Sequence, residues 1–172
     1  MGKKIRKQSS TDKSKQKKKI WTPDQSLSKM DVNYGVAICW DDEVVDLTRL
    51  KPGPGLYLAT DISRLQLNRC KRLAITIPQS QMRFLRPKMP LLEELDLSSN
   101  GLKYIDLHID SYPSLERLIL NGNELASAMA IVKVKGIYTL KSISLIGNPI
   151  VDNKDEMMKL RDALPNINII TS

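Results

Sequence analysis

The chain has 172 residues, of which 41% are hydrophobic and 27% charged, and its 27 Lys and Arg against 19 Asp and Glu give a net charge of +8. Two cysteines, Cys39 and Cys70, exclude a disulfide framework and a four-cysteine zinc site, and they fit a reducing compartment. The longest apolar runs, such as Tyr34 to Trp40, hold about seven residues, far short of the roughly 20 that a membrane-spanning helix needs, so no membrane partner is expected.

The charge excess is confined to one end. Residues 1–19 hold nine bases and one acid, Asp12, while the other 153 residues hold 18 of each sign. With only Met1 and Ile5 to bury, this segment cannot offset its ordering entropy and is expected to be a disordered basic tail. Its bases include Lys3 and Lys4, then a ten-residue spacer, then Lys15, Lys17, Lys18 and Lys19. That spacing suits a bipartite nuclear import signal, and the same lysines can neutralise phosphates without reading bases. Trp21-Thr22-Pro23-Asp24 follows where a secretory signal needs an apolar stretch, so none is expected. Residues 20–42 read as a linker or N-terminal cap, and 43–172 as the folded domain.

Val44 to Leu50 alternates like a strand, Lys51-Pro-Gly-Pro-Gly55 breaks the chain, and the spacing of Leu58, Ile62 and Leu65 predicts a helix within Leu56 to Leu67. From Ile62 to Leu92 there is no acid against seven bases, a stretch that contains Leu73-Ala-Ile-Thr-Ile77. Three repeats follow: LEELDLSSNGL from Leu92, LERLILNGNEL from Leu115 and LKSISLIGNPI from Leu140, offset by 23 and 25 residues. All fit L-x-x-L-x-L-x-x-N-x-L, the pattern of a leucine-rich repeat. In each, alternate apolar residues (Leu95 and Leu97, Leu118 and Leu120, Ile143 and Leu145) should point inward from a short parallel strand. Asn100, Asn123 and Asn148 should satisfy backbone groups of neighbouring turns. Acids at Asp155 and Glu156 and bases at Lys159 and Arg161 predict a helix over 154–163, stopped by Pro165 and followed by a last strand within 166–170. Residues 148–170 thus form a terminal cap, after which no folded domain is expected. The expected fold is α/β, a leucine-rich-repeat solenoid of about four repeats with a C-terminal cap.

The order VVDLTRL (44–50), LQLNRCKR (65–72), MPLLEELDLSSNGL (89–102), YPSLERLILNGNELAS (112–127), KVKG (133–136) and LKSISLIGNPIVDN (140–153) resembles the leucine-rich-repeat domain of the nuclear RNA export factor family, the TAP-type mRNA export receptors. The resemblance covers roughly residues 43–170. In that family the repeat domain follows an RNA-recognition domain and precedes domains resembling nuclear transport factor 2 and ubiquitin-associated modules. Residues 20–43 are too few for the first of these, so the resemblance implies a shortened paralogue in the nucleus, able to shuttle to the cytoplasm and bind RNA.

The expected RNA contacts are Lys15, Lys17, Lys18 and Lys19 in the tail, with Arg64, Arg69, Lys71, Arg72, Arg83, Arg86 and Lys88 in the body. The alternative is a protein-interaction scaffold gripping a partner on its concave strand face. That face is expected to present Glu94, Asp96 and Ser98, then Arg117, Ile119 and Asn121, then Ser142, Ser144 and Ile146. No enzyme chemistry, metal or cofactor is expected. The single histidine, His108, has only Asp106 and Asp110 nearby in sequence, and no serine or cysteine stands in an activating motif.

Overall fold

A computed structural model describes residues 43–48, 69–85 and 89–172. The basic tail, the 20–42 segment and the helix expected within Leu56 to Leu67 lie outside these residues. The described chain is an α/β fold. Six parallel strands lie side by side in chain order in one sheet: β1 (Val44–Leu47), β2 (Arg72–Ile75), β3 (Glu94–Asp96), β4 (Arg117–Ile119), β5 (Ser142–Ser144) and β6 (Asn168–Ile170). The one α-helix among the described residues, α1 (Lys154–Ala163), lies between β5 and β6.

Strands of three or four residues are too short to hold themselves, and the register explains why they persist. Val45, Leu73, Leu95, Leu118, Ile143 and Ile169 fall in one row across the sheet. The first five are buried, as are Leu47, Ile75, Leu97, Leu120 and Leu145 two residues on. Each of β1 to β5 therefore contributes two apolar side chains to a continuous core that is complete only when its neighbours are in place.

Strand β2 departs from the sequence pattern. Cys70 takes the place of the first leucine and Pro78 that of the asparagine, when its residues are set against 92–100. Cys70 is fully buried and its thiol donates to Arg72 O at 3.2 Å. It is a packing residue, and the neighbouring bases Arg69 and Lys71 do not make it an exposed nucleophile.

The asparagines bind the turns together. Asn123 is buried; its Oδ1 accepts from Asn100 N (2.9 Å) and Leu102 N (3.0 Å), and its Nδ2 donates to Leu97 O (3.0 Å) and Leu120 O (2.8 Å). Asn148 repeats this one unit on, donating to Leu120 O and Leu145 O and accepting from Leu125 N. Asn100 donates to Ile75 O but accepts from Ile77 N, because Pro78 has no N–H to offer.

The residue before each asparagine is left-handed: Ser99 at φ 56°, Gly122 at 63° and Gly147 at 70°. Glycine adopts this conformation freely, whereas a Cβ makes it costly. Ser99→Gly is therefore expected to stabilise the fold by about 0.5–1 kcal/mol, the net of relieved strain and the larger entropy of the unfolded chain. Urea denaturation should show a higher midpoint.

Among the described residues the returns between strands carry 3-10 segments, at Gln79–Phe84, Ile109–Ser111, Ala128–Ala130, Val132–Gly136 and Pro149–Asp152, the last followed by α1. Units of 23 to 25 residues leave little chain for a return. The 3-10 form rises about 2.0 Å per residue against 1.5 Å for an α-helix, so it spans the distance with fewer residues. Buried Tyr112 links two units, its hydroxyl donating to Leu85 O at 3.1 Å; burial pushes that phenol well above its usual range.

The helix forms where the charge pattern predicts it. Asn153 caps α1, its Oδ1 accepting from Glu156 N at 3.2 Å, with Asp155 and Glu156 in the first turn and Arg161 in the last. Met157, Leu160 and Leu164 are buried against the core. Glu156 Oε2 also accepts from Ala128 N (2.8 Å) while Oε1 meets Lys159 Nζ (2.7 Å). The lysine first and the backbone amide second hold this carboxyl below its ordinary range.

Candidate functional site

Side chains between the core positions lie on the opposite, open face of the sheet. Their identities follow from the register. One row reads Val44, Arg72, Glu94, Arg117, Ser142, Asn168, and the next Asp46, Ala74, Asp96, Ile119, Ser144, Ile170. The expected residues Glu94, Asp96, Ser98, Arg117, Ile119, Asn121, Ser142, Ser144 and Ile146 are brought together here, and Asp46, Arg72, Asn168 and Ile170 join them. These additions belong to strands β1, β2 and β6, where no consensus asparagine marks the register.

The face is graded. Its first half is charged. Arg117 Nε donates to Glu94 Oε2 at 2.7 Å, and this bond, stronger in effect than partial desolvation, pushes the guanidinium further up from its usual range. Arg72 stands exposed on the other side of Glu94 in register. Asp96 Oδ1 accepts from both the N–H and the hydroxyl of Ser98, as Asp46 does from Thr48, closing the strand end in an Asx turn. The second half carries no charge. Ile146 and Ile170 are 40% and 37% exposed beside Ile119. Ser144 is buried, its hydroxyl donating to Asn121 Oδ1 at 2.6 Å, and the same oxygen accepts from Ile146 N. These two polar groups fix the end of β5 rather than reaching outward.

The basic candidates are distributed differently. Arg69, Lys71 and Arg72 cluster at the entry to β2, where Lys71 Nζ lies 3.4 Å from Glu43 Oε1. Arg83 is exposed in the last turn of the Gln79–Phe84 return, away from the strand face. Arg64, Arg86, Lys88 and the tail lysines Lys3, Lys4, Lys15, Lys17, Lys18 and Lys19 lie outside the described residues. A further ion pair joins strand entries: Glu116 Oε1 meets Lys141 Nζ at 2.6 Å, one unit beyond the Glu94–Arg117 pair.

His108 is exposed in a return segment, and Asp106 beside it meets Lys133 Nζ at 3.4 Å. Among the described residues no three His, Cys, Asp or Glu side chains are grouped to hold a metal ion, and no helix is long and apolar enough to cross a membrane. No family model matches the chain.

Proposed function

We propose that the chain is a leucine-rich-repeat solenoid that binds a protein partner through the open face of its sheet. The observation that carries this reading is the grading of that face from Arg72 and the paired charges of Glu94 and Arg117 to the uncharged, partly apolar surface of Ile119, Ile146 and Ile170. A partner laid across the strands would bury the isoleucines and align on Arg72, Glu94 and Arg117. Interfaces combine apolar anchors with polar alignment in this way. A phosphate groove is disfavoured there, because Glu94 and Asp96 stand in its middle.

A second reading, RNA binding in the nuclear export-factor line, is supported by the net +8 of residues 1–19 and by the acid-free stretch from Ile62 to Leu92. In this reading the tail is also the import signal. About five phosphate contacts would give a slope of log K on log salt near −3.5 for a single strand.

One experiment separates the two. The full chain, Ile146→Glu and Lys17→Glu/Lys18→Glu/Lys19→Glu are used as baits in nuclear extract with and without ribonuclease, and titrated with oligouridine against salt. The scaffold reading expects a defined partner that survives ribonuclease and is lost with Ile146→Glu. Capture that needs RNA and is lost only with the lysine variant overturns it.

A further inference from the structure

At the far end of the sheet β6 is an edge strand among the described residues. Asn168 N–H donates to Lys141 O and Ile170 O accepts from Leu145 N, so both residues direct their backbone groups toward β5. By the alternation of a parallel ladder, the N–H and C=O of Ile169 and Thr171 point outward, toward a strand position that no described residue fills. Beside that edge lies a cleft of about 450 Å³ between α1 and the end of β6. Val151, Met157 and Met158 line it with apolar surface, and Met158 is 60% exposed. Lys154 and Arg161 flank it, neither joined to a carboxylate in any ion pair among the described residues, and Asp162 also lines it.

We propose that this edge and cleft form a second binding site, separate from the open face, for an extended peptide carrying a large apolar side chain flanked by a carboxylate. The peptide adds a strand to β6 through the backbone of Ile169 and Thr171. Successive side chains of an added strand point to opposite faces, so one of them enters the cleft on the helix side. Its apolar body meets Val151, Met157 and Met158, and methionine surfaces adapt to irregular shapes. The carboxylate stands two residues away along the peptide, on the same face, and meets Lys154 and Arg161. The two bases outnumber Asp162, which selects an acidic occupant over a basic one. A second copy of this chain is disfavoured, because edge-to-edge pairing about a two-fold axis would set the two pairs of bases beside each other.

The test pans a displayed library of random peptides on the full chain and measures the enriched synthetic peptide by fluorescence anisotropy. The expected consensus is an apolar residue with Asp or Glu two positions away, on the same face of the strand. Its Kd should rise about tenfold or more in Lys154→Glu/Arg161→Glu, and similarly in Thr171→Pro, which removes an outward N–H while leaving the β5 ladder intact. Unchanged urea midpoints would show that these variants still fold, and Met158→Glu, at an exposed position, provides a third variant should either fail. No enrichment, a consensus without acids, or equal binding by all the variants overturns the proposal. So does binding lost in Ile146→Glu but kept in Thr171→Pro, a result that would instead place the peptide on the open face.

Discussion

Asn123→Ala is expected to lower the unfolding free energy by about 3–5 kcal/mol, enough to consume much of a domain's stability. The side chain meets four backbone groups in two successive units: Asn100 N, Leu102 N, Leu97 O and Leu120 O. It is 4% exposed, so water cannot replace it. Each buried group left without a partner costs about 1–3 kcal/mol, and relaxation of the turn recovers part of the sum. Asn123→Asp separates the two halves of the role. It keeps the acceptor for Asn100 N and Leu102 N but turns a donor into a negative oxygen facing two carbonyls, so it should be no milder than alanine. Asn100→Ala should cost less, because Pro78 leaves it only one amide to accept from and it is half-buried. Urea unfolding of the three variants checks the order. Equal losses at 100 and 123 would mean that the bonds themselves are not what stabilises the turns.

The core and the asparagines were legible in the sequence because their slots recur, and recurrence fixes both identity and direction. The boundaries of α1 were legible because its caps are local chemistry: Asn153, the early acids, the late bases and Pro165. Strand β2 was not assigned from the sequence. Cys70 and Pro78 stand in two of its diagnostic slots, and only pairing with β1 and β3 reveals it. The 3-10 form of the returns was not assigned from the sequence; it follows from the shortness of the units. The open face was half legible. Its residues were read from the repeats, but the contacts between them were not, since Glu94 and Arg117 are 23 residues apart. Equal slots in successive repeats are neighbours in register, and that rule would have predicted the Glu94–Arg117 and Glu116–Lys141 pairs from the repeat alignment alone. The burial of Ser144 was hidden because it depends on a bond to Asn121, a residue in no consensus slot.

The second large effect is expected at Leu118, in the middle of the inward row. Leu118→Ala should cost about 3–4 kcal/mol, the sum of lost transfer free energy and an unfilled cavity. The side chain is 1% exposed and sits in register between Leu95 and Ile143, so both neighbouring units lose packing at once. Backbone collapse cannot close the gap, because β4 is held on both sides by parallel ladders. Ile169, in the same row on β6, has a strand neighbour on one side only among the described residues and is partly exposed. Ile169→Ala should therefore cost about 1–2 kcal/mol, since less surface is lost and the edge can relax. Guanidinium unfolding of both variants reads the difference directly. If stability arises from stacking of each unit on its neighbours, the cost must fall from the middle of the row to its end. Equal costs at 118 and 169 would mean instead that the capping helix α1, packed over the last units, makes the edge of the sheet as rigid as its centre.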